Sequence, residues 1–186
     1  PGLESWDEHR HNLPVQLTSV IGRQNEINEI DEVASMPPTA RLITLAGAGG
    51  SGKTRLAQEI GAAVIEDYPG GVWFIGLAAL SDPNVLQSHV AEIFDVGQDA
   101  LHGYLQGKTV LLILDNCEHL IVAAASLVQS LLSCPGVSVL ATSREPLNLT
   151  GERMFQVPPL PVPVVAAIDD ILVDCPSVQL FLERAR

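Results

Sequence analysis

The octapeptide Gly47-Ala48-Gly49-Gly50-Ser51-Gly52-Lys53-Thr54 constrains this chain more than any other stretch. It fits the pattern G-x-x-x-x-G-K-S/T at every specified position, and it follows a β-type run and precedes a helical pattern, as that pattern requires. Residues without side chains let the backbone wrap closely around an anion and reach positive φ. The amide N–H groups and the positive end of the following helix then face the negative charge. Lys53, one of only two lysines in the chain, is placed to reach β- and γ-phosphates, and the Thr54 hydroxyl to bind Mg²⁺. Random glycine turns can cap helices, but they do not supply Lys and Thr at these offsets.

The rest of the chain supplies the scaffold such a loop needs. Hydrophobic residues are 47% and charged residues 17% of the 186, enough for one domain with a substantial core. Aromatics are only 4%, so that core is expected to be aliphatic. A helical spacing runs from Ile21 to Ala34 and is stopped by Met36-Pro37-Pro38. Arg41–Ala46 reads as a strand, Gly52–Asp67 as a helix, Tyr68–Gly71 as a turn and Val72–Leu77 as a second strand. Asp82-Pro83 opens a further helix. Val110–Leu114 is apolar at every position, as a parallel strand covered on both faces must be. A helix from about His119 to Leu132, a strand over Val137–Thr142 and another over Arg153–Val157 complete the alternation. Ser177 is placed to cap a last helix. Strands alternating with helices at this spacing predict a parallel sheet with helices on both faces, an α/β fold. The domain boundaries expected are a linker or arm over residues 1–19, a nucleotide-binding domain over 20–160, and a linker with the start of a helical domain over 161–186.

The third strand ends in Asp115, where a carboxylate can hold Mg²⁺ beside a phosphate loop; a strand-end Asp can also simply cap a loop. Hydrolysis needs a group that accepts a proton or positions water. Asn116 cannot accept one at neutral pH, which leaves Glu118, or less readily His119, as substitutes, against the plainer reading of Glu118 as a solvated helix-start residue. Arg144 follows the fourth strand. If that strand lies between the phosphate-loop strand and the Asp115 strand, Arg144 comes near a γ-phosphate and can distinguish ATP from ADP; otherwise it is a surface arginine pairing with Glu145.

A formal net charge of −12, from 22 acidic against 10 basic residues, argues against general nucleic-acid binding by this chain. No apolar run approaches the roughly 18 residues that span a bilayer. The three cysteines, Cys117, Cys134 and Cys175, are widely spaced and lack a metal-ligand pattern, which fits reduced thiols in a cytoplasmic protein. His9-x-His11 and Cys117-x-His119 lack the partners of a zinc site. Asn148-Leu149-Thr150 is a glycosylation sequon without meaning in that compartment. No Asn-Lys-x-Asp guanine-reading motif is present, which favours ATP. Pro1-Gly2 at the start and a helical pattern at Arg186 are expected of a piece cut from a longer chain.

Several segments together resemble the bacterial STAND-class ATPases. These are Asn12-Leu13-Pro14-Val15-Gln16-Leu17-Thr18-Ser19-Val20-Ile21-Gly22-Arg23, Ile43-Thr44-Leu45-Ala46-Gly47 with the loop, and Gly71-Val72-Trp73-Phe74. Leu112-Ile113-Leu114-Asp115-Asn116-Cys117-Glu118-His119-Leu120, Ala141-Thr142-Ser143-Arg144-Glu145-Pro146-Leu147 and Phe181-Leu182-Glu183-Arg184-Ala185-Arg186 complete the set. The look is that of the NB-ARC-like module of LuxR- and AfsR-type transcriptional regulators, some of which carry adenylate cyclase domains. The resemblance implies a P-loop NTPase three-layer α/β/α sandwich with a five-stranded parallel sheet of order 2-3-4-1-5. It implies a candidate nucleotide-binding set of Val20, Ile21, Gly22 and Arg23, packed on adenine, with Gly47, Ala48, Gly49, Gly50, Ser51, Gly52, Lys53, Thr54 and Arg55. Thr54 and Asp115 would hold Mg²⁺, and Lys53, Asp115, Glu118 and Arg144 would serve slow ATP hydrolysis. It further implies an ADP/ATP switch that acts on sensor and effector domains of the same polypeptide and leads to self-association. Asn116 departs from the second acid common in relatives. The other readings of the loop are a small-molecule phosphotransferase, disfavoured because no arginine-rich lid segment is present, and a nucleotide-held scaffold without hydrolysis.

Overall fold

The computed structural model describes residues 11–15, 21–34, 40–163 and 175–184. Val20 and the Met36-Pro37-Pro38 helix stop lie outside the described residues. The elements are α1 (Gln24–Ala34), β1 (Leu42–Ala46), α2 (Lys53–Ala63), β2 (Val72–Gly76), α3 (Leu86–Ile93), α4 (Leu101–Leu105), β3 (Val110–Asp115), α5 (Ile121–Leu131), β4 (Val137–Ser143), β5 (Glu152–Gln156) and α6 (Pro176–Arg184). All the strand pairings are parallel, in the order β2-β3-β4-β1-β5. Strand β4 therefore lies between β3 and β1, so the strand ends carrying Asp115 and Arg144 flank the loop that leaves β1.

Two cores divide along the alternation of the strands. From β3, Val110, Leu112 and Leu114 pack with Val90 and Phe94 of the α3 segment and with Leu127, Val128 and Leu131 of α5. Leu111 and Ile113 point the other way, against Ile30 of α1 and Leu56, Ile60 and Tyr68 on the α2 side. Every residue of β1, β3 and β4 is buried, which explains why these strands read as unbroken apolar runs. The sheet edges are treated differently. Strand β5 is largely exposed and polar. On the β2 edge the Asn12 side chain imitates a missing strand: its Nδ2 donates to Phe74 O at 2.9 Å and its Oδ1 accepts from Phe74 N at 2.5 Å.

Some local expectations need correction. The helix expected over Gly52–Asp67 ends at Ala63 and gives way to a 3-10 turn, Ile65–Asp67, before Tyr68. The helix expected from His119 begins as a 3-10 segment, Cys117–Leu120. Ser177 is not the cap of the last helix: Pro176 occupies its first turn, and the Cys175 carbonyl accepts from the amides of Val178 and Gln179. Helix α4 was not anticipated, being five residues long with Gly103 at its centre. Among the described residues no helix is long and apolar enough to cross a membrane.

Candidate phosphate-binding site

The octapeptide forms the turn from β1 into α2. Gly50 and Gly52 adopt φ of 78° and 91°, conformations that side chains disfavour. Gly47 is required for a different reason: a Cβ there would stand 2.5 Å from the Val157 carbonyl oxygen, where the chain leaves β5. Lys53 is 8% exposed, and its Nζ donates to the carbonyls of Gly47 and Ala48, at 2.9 Å each. The ammonium thus lies across the loop, held by two neutral acceptors that it can exchange for phosphate oxygens.

Beyond the lysine, Thr54 Oγ1 donates to Asp115 Oδ1 at 2.7 Å. The same carboxylate oxygen accepts from Thr142 Oγ1 at 2.6 Å, and Thr142 Oγ1 in turn accepts from the Asn116 amide at 2.9 Å. Asp115 is 9% exposed, so a buried carboxylate is fixed by hydroxyls from α2 and from β4. Thr142 was missed in the sequence reading. The only signal that could have found it is a hydroxyl one residue before the end of a strand that must neighbour β3.

Asn116 sits at φ 67° and turns the chain sharply after Asp115. Its Nδ2 meets His119 Nδ1 at 3.2 Å, while His119 Nε2 faces the carbonyls of Leu77 and Leu80 at 3.1 and 2.9 Å. Carbonyls only accept, so the ring proton sits on Nε2 and Nδ1 accepts from Asn116. Both nitrogens are committed to tying the β3 exit to the β2 exit. Glu118 is better disposed for chemistry. Its side chain is 17% exposed, Oε1 is 3.1 Å from Arg144 Nε, and Oε2 is enclosed without a hydrogen-bond partner. Arg144 pairs with Glu118, not Glu145, and its guanidinium reaches 3.5 Å from where a Cβ on Gly49 would stand. The arginine therefore pairs with the candidate base while its guanidinium lies beside Gly49 of the loop.

The remaining candidates belong to α2 and to the segment that leads into α1. Arg55 forms an i,i+4 ion pair with Glu59 at 2.8 Å on α2. Ile21 is half-buried, and Gly22 takes φ 67° against Pro176 of α6. Arg23 is 5% exposed and donates to Glu26 Oε1 at 2.7 Å, to the Ser51 carbonyl at 3.0 Å and to the Pro158 carbonyl. Cys117, close to these candidates in sequence, is buried: burial first, and then the charges of Asp115 and Glu118, push its thiol up to about 12.

No family model matches the chain. An uncharacterized protein of Mycobacterium tuberculosis is 35% identical over 185 residues, covering 95% of this chain and 44% of that protein. A second Mycobacterium tuberculosis protein, provisionally named an HTH-type transcriptional regulator, is 36% identical over 153 residues, covering 78% of this chain and 16% of its own length. The chain thus spans less than half of either relative. Among solved structures, Cdc6p from Pyrobaculum aerophilum superposes with a TM-score of 0.54 at 13% identity, over 78% of this chain and 46% of the other. A signal transduction ATPase with numerous domains from Pyrococcus horikoshii, carrying a tetratricopeptide repeat sensor, gives 0.53 at 14% identity, over 84% and 25%. At these identities the likeness is one of fold: an α/β P-loop NTPase sheet of order 2-3-4-1-5.

Proposed function

We propose that this chain is the ATP-binding core of a signal-transduction ATPase, an ADP/ATP-dependent switch within a larger, transcription-regulatory protein. The observation that carries the reading is the convergence of Lys53, Thr54 and Asp115 on one turn, with Thr54 Oγ1 and Asp115 Oδ1 2.7 Å apart. A hydroxyl and a buried carboxylate beside a lysine-bearing anion cradle form the donor set that suits Mg²⁺ and a polyphosphate together. The regulator-named relative and the fold shared with a multidomain signal-transduction ATPase support placing that site in a switch.

In this reading Lys53 neutralises the β- and γ-phosphates, and Thr54 and Asp115 are the residues that would hold Mg²⁺. The ion would supply charge neutralisation between phosphate oxygens. Arg144 responds to the presence of a γ-phosphate, and Glu118 is the candidate proton acceptor. Sensor and effector domains of the same polypeptide, nucleotide-dependent self-association and cytoplasmic location belong to the same proposal, as does the division into an arm over 1–19, a core over 20–160 and a following helical part over 161–186.

A second reading, a nucleotide-held scaffold without turnover, is favoured by one observation. Glu118 is already engaged by Arg144, and Asn116 stands where a second acid could have served. Phosphate release from Mg²⁺-ATP separates the two. The switch predicts slow turnover that Glu118→Gln abolishes while ATP still binds. Binding without turnover in the unaltered chain favours the scaffold.

A further inference from the structure

We propose that Arg23 is a positioning residue for the phosphate site, acting from behind the loop and not by contact with the base. The inference rests on reading residues 47–54 as the phosphate site. Arg23 Nη2 donates to the Ser51 carbonyl at 3.0 Å and to that of Pro158, while Nη1 is held by Glu26 at 2.7 Å. In a trans peptide the C=O and the following N–H point in opposite directions. Drawing the Ser51 oxygen onto a buried guanidinium therefore turns the Gly52 N–H the other way, toward the concave side of the loop. Gly52 is the residue at φ 91° that immediately precedes α2, so this peptide carries the N–H where loop and helix end meet. Preorganised N–H groups of this kind stabilise an anion without having to reorient as it arrives.

The two cations of the loop divide its carbonyls between them. Lys53 takes Gly47 and Ala48 and can trade them for phosphate. Arg23, at 5% exposure, keeps Ser51 throughout, because its planar fork is matched to two carbonyls and a carboxylate and is shielded from solvent. At that burial the faces of the guanidinium offer little open surface on which an adenine ring could stack. The Pro158 contact also ties the loop to the chain leaving β5, which already presses the Val157 carbonyl on Gly47.

The test separates phosphate from base. The 186-residue chain and its Arg23→Ala, Arg23→Lys and Lys53→Ala variants are titrated with ADP, inorganic tripolyphosphate and adenosine, the nucleoside by NMR. Arg23→Ala is expected to weaken ADP and tripolyphosphate about tenfold, the scale of one charge-assisted hydrogen bond, and to leave adenosine unchanged. Arg23→Lys, which keeps the charge but cannot span both carbonyls, is expected to recover part of that loss. If Arg23→Ala does not fold, the lysine variant decides alone: a severalfold loss confined to the phosphate-bearing probes supports the role. Equal losses that include adenosine overturn it in favour of base contact, and affinities matching the unaltered chain in every arm also overturn it. Undiminished ADP and tripolyphosphate binding by Lys53→Ala removes the site itself, and the role of Arg23 with it.

Discussion

Thr54 Oγ1 and Asp115 Oδ1, sixty-one positions apart in sequence, stand 2.7 Å from one another at the mouth of the sheet. The contact joins the first turn of α2 to the end of β3. Because Thr142 holds the same carboxylate oxygen from β4, three elements of the fold fix one acid. The acid is thus positioned by hydroxyls from α2 and β4.

Replacing that acid tests its role. Asp115→Ala is expected to weaken binding of Mg²⁺-ATP by about tenfold or more, while ADP binding measured with the metal chelated changes little. Equal losses with and without Mg²⁺ point to a structural role. The paired comparison by calorimetry decides between them.

Arg144 is 66% exposed at its side chain, so its ion pair with Glu118 contributes about 0–1 kcal/mol to stability. Arg144→Ala should lower Tm by no more than about 2–4 °C, the shift that 1 kcal/mol produces in a domain of this size. The ratio of ATP to ADP affinity should nevertheless narrow. A fall in both affinities alike, or in neither, removes Arg144 as the group that reads the γ-phosphate.

Two glycines make opposite predictions for the same substitution. At Gly136 a Cβ would stand 2.2 Å from the Lys108 carbonyl oxygen, and backbone has no rotamer to retreat into. Gly136→Ala should destabilise by about 1–3 kcal/mol, as overpacking does. Gly103 lies within α4 and a Cβ there meets nothing within 4 Å, so Gly103→Ala should stabilise by about 0.5–1 kcal/mol through helix propensity and a less flexible unfolded chain. Denaturant midpoints of the two variants check both signs.

The thiols should separate by pH. Cys117 is held up to about 12, chiefly by burial, whereas Cys175 is lowered, chiefly by its hydrogen bond with Ser177. Alkylation of the native chain near neutral pH should therefore label Cys175 and spare Cys117, read by mass spectrometry. The sign for stability follows from linkage. A raised folded value stabilises fully below the ordinary thiol value of 9.0, and the effect is lost as pH climbs toward 12. Cys117→Ala should thus flatten the decline in stability over that alkaline interval.

What the sequence made legible was whatever a local pattern can carry. The loop at residues 47–54 declared itself because glycines, Lys53 and Thr54 stand at fixed offsets, and the strands because those buried on both faces have to be continuously apolar. Asp115 was visible as the polar end of such a run. The order of the strands came with the family resemblance, and the structure has it. Contacts between distant segments were not legible. Nothing local says that Thr142 will face Asp115, that Arg144 will choose Glu118 over its neighbour Glu145, or that Arg23 will be buried behind Ser51. Helix α4 escaped because five residues around a glycine give no periodicity to read.

Calorimetric titration of the chain and of Lys53→Ala with Mg²⁺-ATP, ADP and GTP tests the central claim most directly. The account predicts saturable binding of the adenine nucleotides, weaker binding of GTP, and loss of binding in the variant, since Lys53 is the cation lying across the cradle. Undiminished nucleotide affinity in Lys53→Ala would contradict it.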